Sequence, residues 1–183
     1  NNKYNVTLLT FHPDGESSKI KGLKIYNYHL PIPTLLNYIY FIIRVKILTL
    51  KNKPDIYHAQ YITHYGLTCA ILNPKSFILT IWGSDIRNTP KINIVYHLIT
   101  KYTIKKAKII THPGHHILKD INRYNLSNNK NIMINFGINT DKFKKREIKN
   151  INKNILKHKR KYTIISTRHL DKIYDIDTYI KAI

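Results

Sequence analysis

The stretch FILTIWGSDI, Phe77 to Ile86, decides the fold. Its first half is a short apolar run, and it stops abruptly at Trp82, Gly83, Ser84 and Asp85. A continuous apolar run closed by a turn signal is the pattern of a strand buried on both faces of a parallel sheet. In open α/β sheets, ligands sit beyond the carboxyl ends of such strands, so the small and polar residues after Ile81 are where chemistry is expected. The same residues also suit an ordinary turn and helix start, since Ser and Asp cap helices. Taken alone, the segment does not separate the two readings.

Outward from this run, strand-like segments recur at Asn5 to Phe11, Leu23 to Tyr28, Asp55 to His58, Ser76 to Ile81, Lys108 to His112, Asn131 to Asn135 and Tyr162 to Thr167. Helical spacing fills most intervals: Thr34 to Leu50, Tyr65 to Leu72, Ile92 to Lys105 and Gly114 to Tyr124. Strand and helix alternating in this way predict βαβ units, hence an α/β fold with a Rossmann-like parallel sheet and helices on both faces. The first two strands, joined through Pro13, Asp14 and Gly15 without a helix, are expected to be neighbours on one edge. After Phe143 the chain turns highly polar until Tyr162. We therefore expect a domain over 1–143, a basic linker over 144–161, and the first strand and helix of a second domain over 162–183. The start at Asn1 without Met, and the stop at Ile183 within a helix-like stretch, point to a fragment.

With 31 Lys and Arg against 10 Asp and Glu, the formal net charge is +21. Such a charge draws a protein to nucleic acid, anionic lipid or phosphorylated substrates. Lys, Asn and Ile are abundant from end to end, as AT-rich codons would produce, so the charge is only part evidence for a partner. The lone Cys69 allows no internal disulfide, fits a reducing compartment, and is read as a buried helix residue. No apolar stretch reaches the ~20 residues that a membrane helix needs. Leu35 to Leu50 comes nearest, but Arg44 and Lys46 interrupt it. It is expected to be an amphipathic helix packed on the core, with a membrane-facing role as the alternative.

Three more loops follow expected strands. His58, Gln60, Tyr61, His64 and Tyr65 cluster imidazole, amide and phenol groups that hydrogen-bond hydroxyls well, and Gly66 near a helix start would let backbone amides approach an anion. No further ligands join His58 and His64, so no metal is expected. Gly137 opens a turn before Asn139 and Thr140. Arg168 and Lys172 place two cations at a strand end, where a guanidinium fork and an ammonium suit a diphosphate. The chain has no GxxxxGK[ST] loop, GxGxxG, GxSxG elbow or HExxH pair, which weighs against most common hydrolases and triphosphatases.

Taken in order, four segments resemble the retaining glycosyltransferases of family 4, which have the GT-B fold of two Rossmann-like domains across a cleft. PDIYHAQYITHYG, Pro54 to Gly66, is similar to the family's histidine-rich loop, and Thr80 to Asp85 to its TxHGxD or TxWGSD pattern. NFGINTDKF, Asn135 to Phe143, is similar to PNGVDxxxF, and TIISTRHL, Thr163 to Leu170, to the opening strand and arginine of the second domain. The resemblance implies transfer of a sugar from a nucleotide-diphosphate sugar, with retention and no cofactor or metal, to a glycan or lipid-linked acceptor. It implies surface polysaccharide or glycoconjugate synthesis at the cytoplasmic face of a membrane, with an anionic membrane surface as a further partner.

By that resemblance His58, Tyr61, His64, Gly66, Trp82, Gly83, Ser84 and Asp85 line the acceptor side, Gly137, Arg168 and Lys172 meet the donor, and Arg168, Asp85 and His58 carry the catalysis. Trp82 stands where many members have a cleft histidine, and Lys172 is only an approximate match for the family's lysine. The glycine-rich loop of the family's first strand would precede Asn1 and its donor-gripping carboxylates would follow Ile183, so this segment by itself is expected to be inactive. Two other readings stay open: a basic nucleic-acid-binding protein, disfavoured because Lys and Arg spread over most polar positions, and a sugar-nucleotide epimerase of similar fold.

Overall fold

The computed structural model describes residues 4–11, 23–32, 34–124, 130–144, 166–167 and 174–182. The chain divides into two compact units, Asn1–Gly137 and Ile138–Ile183. In the first, the elements run β1 (Thr7–Thr10), β2 (Lys24–Asn27), α1 (Thr34–Asn52), β3 (Tyr57–Gln60), α2 (Leu67–Leu72), β4 (Phe77–Thr80), α3 (Ser84–Arg87), α4 (Ile94–Lys106), β5 (Ile109–His112), α5 (His115–Asn122) and β6 (Lys130–Met133). In the second, α6 covers Ile176–Lys181, and the side chain of Asn139 accepts N–H bonds from Asp141 and Lys142, making the loop after Gly137 an ordinary polar turn. The basic linker and the expected strand at Tyr162 to Thr167 fall almost wholly outside the described residues.

The α/β, all-parallel architecture expected from the sequence is present. Strands β3, β4, β5 and β6 are hydrogen-bonded in that order, each parallel to the next. Alternate residues of a strand share a face, so Phe77 and Leu79 of β4, followed by Ile81, point the same way as Ala59 and Ile110 of the neighbouring strands. These residues are buried in one cluster with Ala70 of α2, Ile104 of α4 and Ile117 and Ile121 of α5. The three crossover helices thus share one face, as right-handed crossovers between strands in sequential order require.

Two expectations need correction. β1 and β2 are parallel neighbours, but they form a two-stranded sheet of their own instead of an edge of the main one. β3 begins and ends two residues later than the sequence suggests, because its register starts with Tyr57 opposite Phe77, and Pro54 has no N–H to give a ladder. That shift brings Gln60 into the strand, two residues from His58 and on the same face.

A second cluster, Phe11, Tyr28, Phe41 and Val45, joins the small sheet to α1 through edge-on aromatic contacts such as Phe11 with Phe41. Buried Asn37 accepts the N–H of Leu30, fixing how the chain enters α1. Tyr38 of α1 donates its hydroxyl to the carbonyl of His64 and contacts the hydroxyl of Thr68, and burial pushes its phenol pKa up to about 12. The helix is not amphipathic as expected: Asn37, Phe41 and Val45 face inward, yet apolar side chains line its outer face as well.

Candidate functional site

The carboxyl ends of β3 and β4 lead into two irregular turns. After β3, Tyr61 holds φ 81 and His64 φ 26, positive values that such bulky residues seldom adopt, and the chain kinks at Thr63 and His64 before it enters α2. Backbone strain of this kind persists only where surrounding bonds over-determine it. After β4, Gly83 takes φ 119, open to glycine at no steric cost, and α3 begins at once.

Asp85 holds the two turns together. It is fully buried, and its carboxylate accepts the backbone N–H groups of Gly83 at 2.8 Å, Trp82 at 3.1 Å and Ile62 at 3.2 Å. Burial pushes its carboxyl above the ordinary 3.8, opposed by those three N–H donors. The oxygens expected to serve catalysis are therefore engaged in shaping the loops, and Asp85 acts on the site through the backbone. Arg87 anchors the far end of α3 by a 2.7 Å ion pair to Asp120 on α5, which holds the Asp120 carboxyl below its usual range.

A chain of directional hydrogen bonds lies above the sheet. The indole of Trp82 can only donate, and its Nε1–H meets Oε1 of Gln60 at 3.0 Å. That orients the amide, so Nε2 of Gln60 donates to Nε2 of His58 at 3.1 Å. An imidazole nitrogen that accepts carries no hydrogen, so this network assigns the hydrogen of neutral His58 to Nδ1. Thr80 Oγ1 lies 2.7 Å from the same Nε2 and shares a hydrogen bond of 2.6 Å with Thr111 Oγ1. Burial lowers the His58 pKa below 6.5, which keeps the ring neutral at pH 7. Beside this chain, the hydroxyls of Tyr61 and Ser84 meet at 3.1 Å, bridging the two turns.

Trp82 also packs against Phe136 beyond β6, with ring centroids 4.8 Å apart, and each ring keeps about half its surface in water at 50% and 55% exposure. An exposed aromatic pair beside amide and hydroxyl groups suits a sugar ring, whose C–H faces are apolar and whose edges are polar.

The structure therefore brings together His58, Tyr61, Trp82, Gly83, Ser84 and Asp85. It places His64 elsewhere, stacked on Phe11 at 5.6 Å and edge-on to Tyr38. The anion cradle expected at Gly66 is not there: Gly66 is buried and gives its N–H to the carbonyl of Tyr61, and an added Cβ would lie 2.7 Å from that oxygen. Gly66 is required by close packing. Gly137 lies at the boundary of the first unit, and a Cβ there would meet nothing within 4 Å. Arg168 and Lys172 lie outside the described residues. Among the described residues, no group of three His, Cys, Asp or Glu is placed to hold a metal.

Phe136 is the member of the site that the sequence did not single out. Gln60 was named with the polar cluster around His58, but the misplaced strand end hid that the two share a face of β3. Phe136 gave no local signal, because its partner is 54 positions away.

The fold and site define a Rossmann-like α/β half-domain whose functional loops follow the carboxyl ends of parallel strands. The model of the glycosyl transferase 4-like family matches residues 1–114, more than half of the 183, and the chain belongs to that family. Its activity is accordingly glycosyl transfer, between a sugar donor and an acceptor. A search of the curated proteins found no match to the chain.

Proposed function

We propose that the chain is the acceptor-side domain and the beginning of the donor-side domain of a retaining, hexosyl-type glycosyltransferase. It moves a sugar from a nucleotide-diphosphate sugar to a glycan or lipid-linked acceptor, in surface polysaccharide or glycoconjugate synthesis at the cytoplasmic face of a membrane. The observation that carries the reading is the bond chain from Trp82 through Gln60 to His58, beside the exposed Trp82 and Phe136 rings. It offers an acceptor sugar an apolar surface and an Nδ1–H donor.

The direction of that chain favours one division of labour. With its Nε2 already accepting from Gln60, His58 orients a sugar oxygen by donating from Nδ1 and does not serve as the base. The bond from the anomeric carbon to the diphosphate oxygen breaks, and a bond to the acceptor oxygen forms on the same face. The acceptor proton passes to a phosphate oxygen of the departing diphosphate, so electrons and protons balance without a protein base. Arg168, with Lys172, stabilises the charge that accumulates on the leaving group, and Gly137 belongs to the donor side in this reading. In the whole protein, Arg168→Ala is expected to lower the turnover number by about 10²–10³-fold while the thermal melt is unchanged. Unchanged turnover would remove Arg168 from the reaction.

A further inference from the structure

A cleft of about 200 Å³ opens between α3, the 3₁₀ turn Thr89–Lys91 that follows it, the start of α4 and the end of α5. None of the residues assigned to sugar transfer lines it. Ile86 and Pro90 give it an apolar wall, and the rings of His97 and Tyr124, 5.6 Å apart and tilted by 35°, give it an aromatic one. Its charged lining is Asp120 with Lys91 and Arg123.

Asp120 accounts for one cation and leaves two over. Its tie to Arg87 is complete in itself: Nε–H of Arg87 donates to Oδ2 at 2.7 Å and Nη2 donates to the carbonyl of His116, which fixes α3 to α5. Arg123 adds nothing to that tie, because it caps the same helix that carries Asp120. Asp120 instead holds the Arg123 guanidinium, Nη1 lying 3.3 Å from Oδ1, while the remaining N–H donors of Arg123 have no partner among the described residues. Lys91 stands close enough to help hold the Asp120 carboxyl below its usual range, after the larger effect of Arg87, yet has no ion pair of its own among the described residues. Arg87, Arg123 and Lys91 thus gather around a single carboxylate, and like charges brought together in this way favour an anion between them.

A phosphomonoester carries about two negative charges at pH 7, and a guanidinium fork beside an ammonium is a donor set that suits its oxygens. Drug-sized ligands fill pockets of ~300 Å³ or more, so the occupant is smaller, on the scale of one phosphorylated ring. We propose that this cleft is a second binding site, for a small phosphomonoester whose phosphate meets Lys91 and Arg123 and whose ring packs on His97 and Tyr124. The cleft shares α3 with the acceptor turns, since Ile86 follows the Asp85 that holds the N–H groups of Trp82 and Gly83.

Binding is read by titration calorimetry on the whole protein, with no sugar transfer involved, so this site and the proposed activity can fail separately. Phenyl phosphate should bind at least about fivefold more tightly than inorganic phosphate, and phenol should not bind. Lys91→Gln with Arg123→Gln should weaken phenyl phosphate about tenfold or more, and His97→Ala should remove its advantage over inorganic phosphate. Lys101→Gln with Lys105→Gln takes the same charge from exposed positions of α4 and should leave binding unchanged, which separates the cleft from general attraction to a +21 chain. Arg168→Ala should also leave it unchanged, which separates the cleft from the donor diphosphate. Should the Lys91 and Arg123 double variant fail to fold, Lys91→Gln alone carries the test, with an expected loss of about threefold or more. No binding of phenyl phosphate at millimolar concentration, equal losses in the two double variants, or a loss in Arg168→Ala with none in Lys91→Gln would overturn the inference.

Discussion

The turns beyond β3 and β4 and the outer face of α1 both leave large apolar side chains in water, and they do so in opposite ways. At the turns, the half-exposed Trp82 is tied by its indole to Gln60, by its N–H to Asp85 and by ring contact to Phe136. Along α1, the exposed side chains are aliphatic and have only flanking cations. Directional bonds fix one geometry and so select one shape of ligand. An aliphatic stripe attracts through area alone and selects no shape.

That contrast can be broken at three points. The largest effect is expected at Asp85. Asp85→Ala leaves three backbone N–H groups without their acceptor and should cost about 3 kcal/mol or more, read as a lowered denaturation midpoint. A loss of activity with undiminished stability would instead return Asp85 to the chemistry. An intermediate effect is expected at the indole. Trp82→Phe keeps an aromatic ring but removes the donor that orients Gln60, so stability should change by less than about 1 kcal/mol.

The imidazole of that variant should show the consequence. In wild type, nitrogen NMR should find His58 with its hydrogen on Nδ1, and in Trp82→Phe the other tautomer should gain population. Because burial lowers the folded pKa of His58, the folded state resists protonation that the unfolded chain accepts at 6.5. Stability from this source is therefore full above pH 6.5 and declines as pH falls through the folded pKa, and His58→Gln should flatten that decline. The smallest effect is expected on α1. Ile43→Glu, at an outward position, should alter folding stability by no more than about 0.5 kcal/mol. A larger loss would show that the stripe is covered by the protein itself.

Much of the frame was legible before any coordinates. The run Phe77 to Ile81 read as a doubly buried strand because it is a short apolar run that stops at a turn signal, a pattern carried by residues adjacent along the chain. Asp85 and Gly83 were also visible, as turn residues after a strand. Their division of labour was not. Whether a carboxylate faces substrate or three backbone N–H groups depends on Ile62, 23 residues earlier, arriving beside it. Gly66 misled for a similar reason: a glycine before a helix suits an anion, but here the carbonyl of Tyr61 fills the space.

The sequence by itself determined the α/β class, the order of strands and helices, and the loops in which to look, because periodicity and turn chemistry act between residues near one another along the chain. It also placed the helix α1, though as an amphipathic one with a single apolar face. Only the tertiary structure decided which face is covered, which nitrogen of His58 carries the hydrogen, and that Phe136 meets Trp82. Each of these is a contact between residues far apart in sequence, and the direction of a hydrogen bond or the covering of a surface exists only once both partners are in place.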